Sequence, residues 1–184
     1  SSLPTEWEHE APPVPTDFDA EEFKRYLEET GYGIFLGMPF DASVDINSEE
    51  MKWGVWGVTT WSLCYAYERE NKPEDVIQNS SLQQFPQEQV RQTARELFGQ
   101  TYHHEWASGA PEGYYPLLYG FGPTTWAELA ADSLHCDENG FITFDMDYTG
   151  QWGPRWGVHY EMQFHPEAGF CPYRLLRCTE TYRY

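Results

Sequence analysis

The chain is short of cations: its 184 residues carry 11 Lys and Arg against 30 Asp and Glu, for a formal net charge of −19. A surface of that sign repels phosphate backbones and anionic bilayers, so neither nucleic acid nor a lipid surface is an expected partner. Cationic ligands suit it, although charge alone selects none. Long apolar runs are missing too. No stretch approaches the roughly 20 residues of a membrane-spanning helix, and no secretory apolar segment is present. Cysteine is scarce, with only Cys64, Cys136, Cys171 and Cys178. Their spacing matches no zinc site and contains no CxxC. Three disulfide connectivities are open to four cysteines. Free buried thiols are expected instead, because a chain of this length builds a core without staples.

Catalytic and cofactor motifs are also absent. The glycines from Gly31 to Gly37 lack the lysine and the spacing of a phosphate loop. Neither Ser62 nor Ser133 lies in a nucleophile elbow. His135 and Cys136 are chain neighbours, which a strand sends to opposite faces, so they do not serve each other as base and nucleophile. His103, His104 and Glu105 share a loop, where adjacent side chains rarely bind one metal. No metal and no cofactor is expected.

Aromatic residues are plentiful, at 17% of the chain with eight Trp, within a hydrophobic content of 40%. Large rings bring much buried area each, so this composition describes a globular chain. Residues 1–17 hold four Pro and several carboxylates, which reads as an extended tether. A beginning at Ser1-Ser2-Leu3-Pro4 fits a mature chain released from a signal peptide or lipid-anchor region. Residues 18–184 then form one domain, with no internal repeat.

Three helices are expected. Phe18 to Thr30 has Asp17 or Asp19 as cap, carboxylates in its first turns, and a buried stripe of Phe23, Tyr26 and Leu27. A second runs from Ser48 to about Glu70, where Trp53, Trp56, Thr60, Trp61, Cys64 and Tyr67 recur at three and four residues. A strand also fits that segment, and Gly54 and Gly57 weaken both readings; helix is preferred. The third runs from Pro86 to Phe98, with Val90, Ala94, Leu97 and Phe98 on one face and Gly99 as stop. Pro73 opens a polar stretch with room for a short helical turn, and Gln100 to Pro123 reads as an aromatic loop with a short strand at Tyr114 to Tyr119. Trp126 to Cys136 is ambiguous, with Ala127 to Ala131 favouring helix.

The last third reads as strands. Ile142, Phe144, Met146 and Tyr148 alternate with Thr143, Asp145 and Asp147, and Val158, Tyr160, Met162 and Phe164 alternate with His159, Glu161 and Gln163. Turns fall at Asp137 to Gly140, Gly150 to Pro154 and Pro166 to Pro172. The expected fold class is α+β, with N-terminal helices packed on a curved antiparallel sheet of three to five strands.

Matching the apolar faces of the strands allows a register with Met146 opposite Tyr160 and Phe144 opposite Met162. The polar face then sets Asp147 beside His159, Asp145 beside Glu161, and Thr143 beside Gln163. Leu176 facing Met162 puts Arg177 beside Glu161. Asp147 and His159 are thus the candidate acid–base pair, since a carboxylate beside an imidazole raises its pKa and holds its tautomer. Asp145, Glu161 and Arg177 are candidate ligand-binding residues in the same row. The bland alternative is an ordinary wet sheet face, on which opposite charges pair across strands. Trp106, Tyr114, Tyr115, Trp152 and Trp156 fall in or near loops and are candidates to stack on a small molecule or sugar; otherwise they plug the open end of the core.

Helices followed by a curved sheet, together with the helix entry Phe85-Pro86-Gln87-Glu88-Gln89-Val90, its end Leu97-Phe98-Gly99, the loop Glu112-Gly113-Tyr114-Tyr115 and the turn and strand from Asp137 to Tyr148, resemble the cystatin-like or nuclear-transport-factor-like α+β roll. In general character they are similar to small exported lipoproteins of gut Firmicutes. The resemblance implies an extracellular or cell-surface protein tethered through its N-terminal segment, with a membrane contact only through a removed lipid anchor. It carries over no site residues. The leading expectation is an exported binding module for a small molecule or glycan. The alternatives are an enzyme of the roll class using Asp147 and His159, or a protein–protein interaction domain.

Overall fold

The computed structural model describes residues 17–30, 39–69, 77–79, 82–105, 110–117 and 125–184. Residues 1–16 of the expected tether, the glycine-rich 31–37, the expected helical turn after Pro73 and Trp106 lie outside the described residues. The fold is α+β. Helices α1 (Ala20–Glu29), α2 (Lys52–Arg69) and α3 (Gln87–Phe98) lie in the N-terminal part. The strands are β1 (Ile77–Asn79), β2 (Leu82–Pro86), β3 (Tyr114–Pro116), β4 (Trp126–Leu129), β5 (His135–Cys136), β6 (Phe141–Thr149), β7 (Arg155–Phe164) and β8 (Tyr173–Arg183). They form an antiparallel three-stranded sheet, β1-β2-β3, and a five-stranded sheet of order β4-β6-β7-β8 in which β5 also pairs with β6.

Local chemistry explains each helix. Asp19 caps α1 by accepting from the backbone N–H groups of Glu21 (2.9 Å) and Glu22 (3.2 Å), so the helix starts at Ala20 rather than at Phe18. Its buried side is the expected Phe23, Tyr26 and Leu27. Helix α2 is buried on nearly every side, including Gly54, Val55, Gly57, Val58, Leu63 and Cys64. A helix apolar all round belongs at the centre of a fold. Helix α3 follows Pro86 and ends at Gly99, whose φ of 72° only glycine adopts without strain.

The strand at Trp126–Leu129 corrects the helical reading of Ala127 to Ala131, and the polar stretch from Ile77 to Pro86 holds two strands. In the turn from Asp137 to Gly140, the Asp137 carboxylate accepts from the N–H groups of Asn139 (2.8 Å) and Phe141 (2.9 Å). Gly140 takes the positive φ of 78°.

The helices cover one face of the large sheet. Phe23 of α1 meets Phe144 edge-on at 5.3 Å and Tyr173 at 4.8 Å, and Tyr26 meets Tyr173 at 4.8 Å. Ile142, Phe144, Met146, Tyr148, Val158, Tyr160, Met162 and Leu175 are buried beneath them. Thr143, Asp145, Asp147, His159 and Glu161 therefore point away from the helices, onto the half-exposed face. All four cysteines are free thiols; Cys64, Cys171 and Cys178 are buried. Burial pushes the Cys64 and Cys178 thiols up to about 12 and that of Cys171 up to about 11, which makes them inert core groups.

Candidate functional site

The polar face keeps the expected parity but has a different register. Phe144 pairs with Tyr160, Met146 with Val158, and Ile142 with Met162, so β7 is displaced by two residues from the expected alignment. A two-residue displacement keeps every side chain on its face and changes its neighbour. His159 consequently pairs with Asp145, its Nδ1 2.7 Å from Oδ1. Asp147 lies opposite Gly157 and accepts a 2.6 Å hydrogen bond from the Tyr182 hydroxyl. The Asp147–His159 pair is thus corrected to Asp145–His159. Glu161 lies opposite Thr143 rather than Asp145. Arg177 does lie beside Glu161, with 3.6 Å between them, while Leu175 rather than Leu176 faces Met162 because the ladder is irregular between Glu161 and Met162.

Gly157 has a reason to be glycine. A Cβ there would meet the Tyr182 ring at 2.2 Å, so this ring lies across the strand and delivers its hydroxyl to Asp147. The arrangement is a sheet face of paired charges. Asp145 and His159 are 49% and 39% exposed at the side chain, and neither lines the two cavities described below. Among the described residues, no group of three or more His, Cys, Asp and Glu could hold a metal ion.

The aromatic candidates are dispersed. Tyr115 is fully buried in β3, against Tyr102 at 5.8 Å, and its hydroxyl donates to the His104 carbonyl, so it belongs to the core. Tyr114 is half-buried beside it. Trp156 stacks on Tyr148 at 5.4 Å under the guanidinium of Arg183. Trp152 sits 88% exposed in the turn between β6 and β7. Among the described residues, Tyr114 and Tyr115 belong to the small sheet whereas Trp152 and Trp156 belong to the β6–β7 hairpin of the large one, so these four make no common platform.

A cavity of about 420 Å³ opens elsewhere, between the start of α1, the end of α2 and the connection from β7 to β8. Its apolar walls include Tyr26, Phe164, Phe170 and Tyr173, and Asp17 and Asp19 stand at the α1 side. The polar centre is Glu22. Its carboxylate accepts from the Tyr65 hydroxyl at 2.6 Å and from Arg25 at 2.6 Å, and pairs with Arg69. Burial pushes the Glu22 carboxyl up, but the hydrogen bonds from Tyr65 and Arg25 and the charges of Arg69 and Arg25 outweigh it and hold the group below its ordinary value. Burial, followed by the bond to Glu22, pushes the Tyr65 phenol up to about 12. Sequence reasoning missed this site. The one local signal is the i,i+4 spacing of Tyr65 and Arg69, which puts both on one face of α2.

The connection that forms the cavity's third wall contains a titrating group. His165 is depressed from 6.5 to about 4, by burial and then by the charge of Arg174. A base depressed in the native state binds protons mainly in the unfolded chain as pH falls below 6.5, so native stability is complete above 6.5 and declines toward 4. Urea unfolding of the wild type at pH 7 and pH 5 should therefore lose on the order of 1–2 kcal/mol more than His165→Gln does, once partial solvent contact is allowed for. Equal losses in the two proteins would remove His165 as the source.

No protein-family model matches the chain, and neither a curated protein nor a solved structure matches it.

Proposed function

We propose that the protein is a binding module for a small molecule or a sugar unit, taken up in the cavity between α1, α2 and the β7–β8 connection. One observation carries this reading: a single concavity combines an aromatic lining with a fixed polar cluster of Glu22, Tyr65 and Arg69. Ligand sites are typically clefts of roughly 300–1,000 Å³ with a few placed polar groups, and a volume of about 420 Å³ falls inside that range. Rings offer a flat face to an apolar or saccharide surface, and the Asp17 and Asp19 carboxylates favour hydroxyl or ammonium groups at the mouth. The Glu22 cluster is already internally paired, which suits orientation of a ligand better than proton transfer. An exported, tethered setting is the one the resemblance to small lipoproteins implies.

The test is a calorimetric and NMR screen of monosaccharides and small amines against the wild type, Ala66→Phe and Arg69→Gln. Ala66 lines the cavity, so a ring there should fill it and abolish binding, while Arg69→Gln should weaken binding by about tenfold, or 1.4 kcal/mol. Hits that bind Ala66→Phe as well as the wild type would sink this site, and a screen without hits would sink the reading.

A further inference from the structure

We propose that a second cavity, along one side of α3, binds a small molecule bearing an oxyanion, either a carboxylate or a phosphate. The cavity measures about 490 Å³ and shares no residue with the one above. In a chain of 30 acidic and 11 basic residues, it gathers Arg91, Arg95 and His103 around Tyr102 and Thr101, with Glu88 as the carboxylate present. Glu88 does not cancel them: it is 90% exposed at the side chain and its nearest approach to Arg91 is 3.9 Å. An ion pair that loose and that wet contributes little.

Two donors belonging to residues that line this cavity have no mate among the described residues. Tyr102 is fully buried, yet its hydroxyl has no hydrogen-bond partner among the described residues. The Nε of Arg91 is buried and also without an acceptor. An orphaned buried donor costs roughly 1–3 kcal/mol, and native structures hold few of them. Arg91 also hydrogen-bonds the Tyr115 side chain, but a guanidinium only donates, so its Nε is left wanting an acceptor. A planar or tetrahedral oxyanion supplies several lone pairs at once and carries the charge two arginines favour. The volume leaves room for an organic body behind the anionic group.

The experiment is titration calorimetry and thermal melting with inorganic phosphate and, separately, succinate at constant ionic strength, on the wild type, Arg95→Gln and Tyr102→Phe. We expect one of the two anions to bind the wild type saturably, and which one does so names the oxyanion. Affinity should fall about tenfold in each variant. Without anion, Tyr102→Phe should melt no lower than the wild type, because its hydroxyl has no partner among the described residues to lose. The proposal is overturned if neither anion binds up to roughly 10 mM, weaker than about −3 kcal/mol. It is overturned if the variants respond like the wild type, which is the generic effect of excluded salts, or if Tyr102→Phe alone melts well below it, which would reveal an internal partner. Ala66→Phe should leave this binding unchanged, so its failure and that of the first site are separable.

Discussion

Phe23→Ala should lower unfolding free energy by roughly 3–5 kcal/mol, the range for truncating a buried phenylalanine. Phe23 is fully buried and joins α1 to the large sheet through edge-on contacts with Phe144 and Tyr173. It also touches Phe18 at 5.9 Å and Tyr26 at 6.2 Å, so the hole would open at a junction of four rings. Neighbouring rings are stiff and held in place by their own packing, which limits collapse into the void. A loss of that size takes up a large part of the roughly 5–15 kcal/mol that holds a domain of ordinary stability together. Urea denaturation would read it as a lower midpoint at unchanged slope. Phe23→Leu, which keeps most of the volume, should cost less than about 1.5 kcal/mol. A loss under 1 kcal/mol for the alanine variant would mean that α1 does not rest on the sheet through this residue.

The parts of the fold legible in sequence are those with a long period. Strands β6 to β8 run 9, 10 and 11 residues, enough for two-residue alternation to show both the element and its buried face. Helices α1 and α3 were legible from caps and from stops at three- and four-residue spacing. Register was harder, because parity assigns a face and leaves the partner open by multiples of two. The deciding feature is the turn: the Gly150 N–H donates to the Pro154 carbonyl at 2.8 Å, closing a short loop that sets Thr149 opposite Arg155. With Thr149 opposite Arg155, counting along the strands brings His159 against Asp145 rather than Asp147. On the other side, Arg177 faces Glu161 as expected, but within a regular run of four pairs, Val158 to Glu161, bounded by an irregularity at each end, so the match does not extend to Met162.

The small sheet and the cavity left no such pattern. Strands β1 and β2 are rich in Gln and Asn, residues of weak strand preference, and their order comes from pairing with β3 about thirty positions on. The cavity assembles Glu22, Tyr65, Arg69 and Phe170 from segments far apart in the chain. Only tertiary packing brings them together, and a lone Glu or Arg in a helix carries no trace of it. The aromatic residues illustrate the converse: Tyr115, conspicuous in a loop by sequence, is a core ring, whereas Tyr65 and Tyr173, unremarked within regular elements, line the cavity.

Glu96→Ala should cost roughly 2–4 kcal/mol, a magnitude set by the donors it would strand. The Glu96 carboxylate, near the end of α3, accepts from three successive backbone N–H groups of the β7–β8 connection: Gly169 at 2.7 Å, Phe170 at 2.9 Å and Cys171 at 3.1 Å. Hydrogen bonds to an ionised acceptor are the stronger kind. Phe170 and Cys171 are too enclosed for water to replace all three bonds at full strength. Arg174 closes the clamp from β8, donating to the carbonyls of Glu96 at 3.0 Å and Arg95 at 3.3 Å, where a cation also complements the helix end. Glu96→Gln keeps an acceptor of the same reach but loses the charge, so it should fall between alanine and the wild type. Because Gly169, Phe170 and Pro172 form one wall of the proposed ligand cavity, the variant should loosen that wall before the domain unfolds. Amide exchange at Gly169 to Cys171 should accelerate at native pH while β6 and β7 stay protected, and ligand affinity should drop with it. Wild-type exchange at those three amides in Glu96→Ala would show that the connection keeps its shape without the carboxylate.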